Sequence, residues 1–339
     1  MKQTAAFIMP VKIIGNELEL RFFRAAVDSI KNQTDKDWII VMIDDRTDDR
    51  RVYDVIDEMK AELQERLHVI YSEQNEGAGA TRNKGIRYAN EIGAPFILFN
   101  DSDDISDPKR LALVREAFSD DTVNVVYTSF DVIDENDCIV PLDHINKSVG
   151  EIIEGHSFDV VEGENAWIGI ATKKNYTNLT SCTAVRTSLA MAEPFPLRSV
   201  SEDAHTWLRY GAHPGKFVFL RGIKGLYRIC SNVESRSRGI NVGFYEKKFK
   251  ADSDGFEEAM KIAKRCGTMG GLDEEDIRLS FYVRLALSLL HGESEAYCKK
   301  SLAIAMKISK EKTLKAVDLL SCQPEDKERM KEIASTLEA

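Results

Sequence analysis

Three carboxylates crowd the stretch Asp101-Ser-Asp103-Asp104, directly after the apolar run Phe96-Ile-Leu-Phe99. Asp101 and Asp103 are two residues apart, so in an extended segment their side chains lean the same way. Two convergent carboxylates repel each other unless a cation joins them, and hard cations such as Mg²⁺ or Mn²⁺ take oxygen ligands. The same residues also suit a solvated acidic turn ahead of the helix expected near Pro108, and alone they support both readings. Two more polar groups follow apolar runs: Asp44 and Asp45 after Trp38-Ile-Ile-Val-Met-Ile43, and Gly77-Ala-Gly-Ala80 with Arg82 after Leu67-His-Val-Ile-Tyr71. Arg82 in a first helical turn can face a phosphate together with the helix N-terminus, or pair with a nearby acid.

The elements that would position these groups alternate. Apolar runs at Thr4–Met9, Trp38–Ile43, Leu67–Tyr71, Phe96–Phe99 and Val123–Thr128 read as buried strands. Helical spacing links the first four: Leu18 to Ile30, Val52 to Met59, and Thr81 to Ala89. Strand–helix alternation with short connections calls for right-handed βαβ units, and so for a mostly parallel sheet flanked by helices. Open α/β sheets bind ligands at the carboxyl ends of their strands, which is where all three polar groups fall. From about 141 to 180 the pattern supports only loops and short pieces. After about 242 the strand signals stop, and amphipathic stretches at 243–266, 273–291, 293–310 and 312–320 precede one opened by Pro324. The expected organisation is therefore an α/β domain over 1–240 and a helical segment over 241–339, serving as a packed cap, an oligomerisation surface or an acceptor-binding module.

Other phosphate and metal motifs fail on their residues. Arg82 stands where GxGxxG needs its third glycine, and no Gly-Lys-Ser/Thr follows. Ile105 and Ser106 replace the oxygen ligand and glycine of an EF-hand. The net charge of −10 argues against non-specific nucleic-acid binding and against simple adhesion to anionic lipid. Residues 241–339 hold 17 Lys and Arg against 18 Asp and Glu, so the acid excess lies in 1–240. Six scattered cysteines with no CxxC pair suit a reducing compartment. No signal peptide and no apolar run of membrane-spanning length are read from the chain. The expected location is cytoplasmic, a setting that also allows peripheral contact with the inner face of a membrane. In that setting the acceptor patterns at Asn175 and Asn178 carry no glycosylation.

Taken in order, these residues resemble a family. Ile8-Met-Pro10, Ala26-Val-Asp-Ser-Ile-Lys-Asn-Gln-Thr34, Val41-Met-Ile-Asp-Asp45 with Thr47-Asp48, Gly79-Ala-Thr-Arg-Asn-Lys-Gly-Ile86 and Phe99-Asn-Asp-Ser-Asp-Asp104 with Pro108 resemble the opening of family-2 inverting glycosyltransferases of GT-A fold. Ser201-Glu-Asp-Ala-His-Thr-Trp-Leu-Arg209 is similar to their Glu-Asp motif, and Tyr227-Arg-Ile with Ser235-Arg-Ser-Arg238 to their closing loop. The resemblance covers about 4–240. Arg46 stands where the family usually has a glycine.

The resemblance implies a donor site and a base. Asp45, supported by Asp44, would hold the base of a nucleoside diphosphate, with Pro10 beside it. Arg82 would lie near the base or phosphates, and Ser102 within the Asp101/Asp103 metal pair, Asp103 being the direct ligand of Mn²⁺ or Mg²⁺. Tyr227 and Arg228 would close over the diphosphate, and Asp203, flanked by Glu202, would be the general base. His205 is either a structural histidine or a further ligand. The implied reaction is metal-dependent, inverting transfer from a nucleotide sugar, a UDP-sugar first of all, to a saccharide, lipid-linked or protein acceptor. Competing readings are a nucleotidyltransferase and a nucleotide-binding partner protein without transfer activity. The helical tail allows a homo-oligomer.

Overall fold

The computed structural model describes residues 4–13, 16–173, 178–230 and 243–337. The closing-loop resemblance at 235–238 and the Asn175 pattern lie outside them. Strands β1 (Ala5–Val11), β2 (Trp38–Asp44), β3 (Leu67–Tyr71) and β4 (Phe96–Phe99) pair in parallel through the crossover helices α1 (Glu17–Lys31), α2 (Arg50–Leu63) and α3 (Ala78–Glu91). Their composition explains the burial. Ala5, Phe7, Met9 and Val11 of β1 enter one core with α1 and α2, while Ala6 and Ile8 enter a second core with α3. A strand covered on both faces needs no polar alternation. α3 lies so close to the sheet that a Cβ at Gly85 would come within 2.6 Å of Ile8 and 2.8 Å of Ile43.

After α4 (Arg110–Ala117), the sheet stops being purely parallel. Its order is β3-β2-β1-β4-β7-β5-β8-β6 among the described residues. β7 (Thr183–Arg186) runs antiparallel to both β4 and β5 (Val123–Ile133), and the long β8 (Lys216–Arg228) runs parallel to β5. β6 (Gly163–Glu164) closes the edge antiparallel to β8. Arg110 fastens the inserted strand, donating to the carbonyls of Phe99 at 3.1 Å and Thr183 at 3.0 Å.

Residues 141–180 are more regular than their sequence pattern suggests: they include α5 (Lys147–Phe158) and α6 (Ala166–Thr172). α5 carries Gly150 and Gly155, which blur its periodicity, and α6 has too few turns to display one. α7 (Thr187–Ala192) and α8 (Glu202–Ala212) precede β8.

The helical tail forms as read, in five helices: α9 (Phe244–Cys266), α10 (Glu274–His291), α11 (Glu295–Ile308), α12 (Lys310–Leu319) and α13 (Pro324–Ser335). It does not build a core of its own. Phe256 of α9 and Phe281 of α10 stack at 4.0 Å, and both belong to the cluster that holds Ile8, Trp167 and Trp207. No helix among the described residues is long and apolar enough to cross a membrane.

Candidate active site

The acidic turn after β4 is held from three sides. Asn100 donates its side-chain amide to the carbonyls of Asp101 and Asp104, which curls the turn back on itself. The Asp101 amide donates to Ser181 Oγ at 3.0 Å, a contact brought in by the antiparallel strand β7. Ile105 exchanges backbone hydrogen bonds with Leu226 of β8, which sets Tyr227 beside the turn. Asp101, Ser102 and Asp103 are half-buried, whereas Asp104 is buried and accepts the Arg228 backbone N–H at 2.9 Å. Burial, then the charges of Asp103 and Asp101, push the Asp104 carboxyl well above its usual range. Burial and the charges of Asp104, Asp103, Asp101 and Asp203 likewise push the Tyr227 phenol up. Its hydroxyl therefore sits in the field of both acidic motifs.

Arg82 joins those motifs. From the first turns of α3, its guanidinium donates to Asp101 at 3.0 and 3.3 Å and to Glu202 of α8 at 3.0 Å. The Arg82 side chain is 6% exposed and lies 5.6 Å from the Phe195 ring centroid. Burial opposes its charge, but Asp101 and Glu202 outweigh that and hold it protonated. Arg82 thus ties the first carboxylate of the turn to the acid beside Asp203, in place of the unshared approach to a phosphate that its position suggested. The neighbouring Asn83 clamps the segment before α8, accepting the Phe195 amide and donating to the Phe195 carbonyl, each at 2.8 Å. Asp203 opens α8 behind Ser201, whose φ of +56° is left-handed. Burial first, then Glu202, raise the Asp203 carboxyl to about 7, against its hydrogen bond from the Ala204 amide and the Arg82 charge.

Asp44 and Asp45 shape turns at the end of β2. Asp44 accepts the Thr47 amide at 3.1 Å and the Tyr53 hydroxyl at 3.0 Å. Asp45 accepts the amides of Glu76 and Gly77 at 2.7 and 2.9 Å, fixing the loop that enters α3. A carboxylate offers about four lone-pair directions, so Asp45 keeps acceptor capacity beyond these two bonds. Arg46 follows at φ +58°, a conformation that glycine adopts without strain. Pro10, at the same sheet edge, is half-buried and pairs with Ile43.

Two residues point elsewhere. Arg228 follows Tyr227 on β8 and takes the opposite side, as strand neighbours do. It stacks 4.0 Å from the Phe22 ring centroid, donates to the carbonyls of Asp103 and Asp134, and pairs with Asp137. It braces the turn from behind and does not cover a diphosphate. His205, two residues past Asp203, is rotated about 200° around the helix and is buried against α9. Arg209 donates to it at 3.1 Å, and burial, then Arg209 and Arg198, hold it down to about 4. It is a neutral structural histidine, not a ligand at the acidic turn. Ser181 and Asn83 were the residues that sequence reasoning missed. Asn83 lay within a quoted motif, but only tertiary pairing brings Ser181 to Asp101.

The acidic turn fits a hard cation, with one restriction. Asp101, Glu202 and Asp203 act on the buried Arg82, Asp103 and Asp101 act on Asp104 as like charges, and the buried Asp104 Oδ2 has no hydrogen-bond partner. Yet among the described residues no three acidic, histidine or cysteine side chains converge closely enough to hold a metal alone. That donor set suits a cation bound by one or two carboxylates plus substrate phosphates, the usual habit of Mg²⁺.

Comparison with known proteins reaches the same region. Residues 13–172 match the model of glycosyl transferase family 2. An uncharacterized glycosyltransferase of Nostoc sp. is 30% identical over 156 residues, 46% of each chain. The curated relatives it matches are each covered over less than half of their length. Among solved structures, S. aureus TarS residues 1–349 in complex with UDP-GlcNAc superposes with a TM-score of 0.60 at 16% identity, over 99% of this chain and 91% of that one. Mannosyltransferase PcManGT from Pyrobaculum calidifontis, in complex with GDP-Man and Mn²⁺, superposes at 0.51 and 15% identity, over 99% and 81%.

Proposed function

We propose that this chain, a member of glycosyl transferase family 2 with a GT-A fold, transfers a sugar from a nucleotide sugar to an acceptor with inversion at the anomeric carbon. The donor of choice is a UDP-sugar, and the acceptor a saccharide, lipid-linked or protein hydroxyl. One observation carries the reading: Arg82 locks Asp101 and Glu202 together, so that the acidic turn and the Asp203 carboxyl border one site. TarS with UDP-GlcNAc and PcManGT with GDP-Man and Mn²⁺ share the fold and support a nucleotide-sugar donor.

In this reading Asp103, with Asp101, would hold Mg²⁺ or Mn²⁺. Bound there, the cation would neutralise charge on the departing nucleoside diphosphate. Arg82 fixes Asp101 and adds a buried positive charge to a site otherwise full of anions. Asp45, braced by Asp44, borders the base, and Tyr227 closes the far side of the acidic turn. Asp203 takes the proton from the attacking acceptor hydroxyl. A base is most useful when its proton affinity lies near the working pH, and about 7 meets that condition.

The test is a panel of nucleotide sugars with Mn²⁺ or Mg²⁺, followed by nucleotide release. Asp103→Ala and Asp203→Ala should both lose turnover while staying folded. Full activity in both variants overturns the mechanism. Pyrophosphate release from a nucleoside triphosphate would instead identify a nucleotidyltransferase, and tight nucleotide binding without transfer a binding protein. The proposed setting is cytoplasmic glycan assembly, with 1–240 as catalytic unit and 241–339 packed on it.

A further inference from the structure

Alternate residues of β4 turn their backbone groups toward β7, and the pairing of the two strands ends at Leu98 and Ala184, just short of the acidic turn. Pro95 accepts the Thr187 amide at 3.2 Å, and Ile97 opposite Val185 follows two residues on. The same register would set Phe99 opposite Thr183 and Asp101 opposite Ser181. The rung at Phe99 and Thr183 is not an ordinary one, because the Thr183 amide is turned onto the Thr180 carbonyl. Arg110 of α4 stands in for it, Nη1 donating to the Phe99 carbonyl at 3.1 Å and Nη2 to the Thr183 carbonyl at 3.0 Å. At the next step the Asp101 amide meets the Ser181 hydroxyl at 3.0 Å in place of a backbone carbonyl. Arg110 is 2% exposed and its Nε has no hydrogen-bond partner. Among the described residues its side chain bonds only neutral oxygens, the third being Ser106 Oγ at a long 3.5 Å. It remains a cation, since burial lowers its proton affinity only to about 10. A buried charge without a bonded carboxylate is costly. A backbone rung would close the same gap without that cost, and such exceptions fall where a site uses the geometry.

We propose that Arg110 is a positioning residue for the donor site: it replaces the last rung between β4 and β7 and so sets the gap across which Ser181 holds the Asp101 amide. This rests on the reading of Asp101 and Asp103 as the pair that holds the cation. The guanidinium explains the residue type. Two nitrogens in one rigid plane serve two carbonyls on different strands, whereas a lysine offers a single nitrogen on a flexible stem. Ser181 and Thr183 lie past the family match, which ends at residue 172, so the hold ties the matched region to the strand inserted after it. Without the guanidinium the two strand ends are free to shift, and the Asp101 amide loses its fixed acceptor. Arg82 still grips the Asp101 carboxylate from the other side. The turn therefore loosens without unfolding, and Asp101 presents its oxygens less well although no ligand atom has changed.

The experiment compares Arg110→Lys, Ser181→Ala and the double variant in the full chain. The first readout needs no substrate: backbone hydrogen exchange of residues 98–104, with β2 and β3 as internal reference. Exchange there should rise about tenfold or more in both single variants, while the reference strands keep the parent's rates. The second readout is the Mn²⁺ concentration that half-saturates nucleotide release. It should rise about tenfold or more in both, the usual effect of losing a group that orients a metal ligand. The double variant should match the worse single one, because both act on one hold; effects that multiply would mean separate roles and overturn the inference. A merely structural Arg110 would speed exchange in the reference strands as much as at 98–104 and leave the Mn²⁺ requirement at the parent's value, which also overturns it. So does an unchanged Ser181→Ala, which touches no charge and decides alone should Arg110→Lys fail to fold. If exchange rises at 98–104 but no donor is turned over, the positioning role stands and the transferase reading falls.

Discussion

Asp203→Asn should separate the fold from the chemistry. The carboxylate is partly buried beside Glu202, and its proton affinity rises from an ordinary 3.8 to about 7. At 1.36 kcal/mol per tenfold, that difference amounts to at most ~4 kcal/mol held against folding once the group is ionised. Glu202 and Asp203 titrate in one field, and water reaches part of the site, so ~1–3 kcal/mol is the working expectation. The sign follows from the direction of the shift. The folded state binds the proton more tightly than the unfolded chain, so the parent loses stability as pH rises from about 4 to about 7. Asparagine does not titrate, and its carbonyl can still accept the Ala204 amide. Urea unfolding at pH 8 should therefore find the variant ~1–3 kcal/mol more stable, with the gain fading toward pH 4. Sugar transfer, read as nucleotide release, should fall by ~10²–10⁴-fold above pH 7, with the gap narrowing at lower pH as Asp203 of the parent takes up its proton. An equal or lower stability at pH 8, with no trend toward pH 4, would refute the raised proton affinity. Activity within tenfold of the parent would refute the base.

Asp103→Ala should abolish metal-stimulated nucleotide release, with the Arg228 bond to its backbone carbonyl kept; Mn²⁺ titrations of turnover check it. Arg82→Lys keeps the charge but cannot span Asp101 and Glu202, so it should cost ~2–4 kcal/mol in urea unfolding and lower kcat together with stability. Gly85→Ala forces a methyl into Ile8 and Ile43, and calorimetry should show ~1–3 kcal/mol of destabilisation.

The first half of the site was legible because it follows a topological rule. Each apolar strand of a parallel sheet ends at one edge, so Asp45, Arg82 and Asp101 could be placed together without knowing any contact. The tail helices were legible for a similar reason, since 3.6-residue periodicity needs only the chain itself. What sequence could not give was the antiparallel insertion of β7, a strand of four residues arriving from more than eighty positions downstream. With it come Ser181 at the Asp101 amide and the route by which β8 meets the acidic turn. Arg228 was placed with Tyr227 because the two are neighbours along the chain, while period-2 geometry turns them to opposite sides of β8; for His205, left open between a structural and a ligand role, the 3.6-residue geometry turns it away from Asp203.

Arg82 shows what such a reading lacks. Its place at a helix N-terminus suggested a ligand for phosphate, but a buried arginine seeks carboxylates, and two lay within reach on different elements. A guanidinium can serve both because its donors diverge in a fixed plane. The motifs separated by about a hundred residues thereby become one electrostatic unit: the charge that steadies Asp101 also lowers the cost of ionising Asp203, while Glu202 and Asp252 raise it. The proton affinity of Asp203 is thus raised by its burial first and by Glu202 of its own helix next, with Arg82 reaching across from α3 to oppose them.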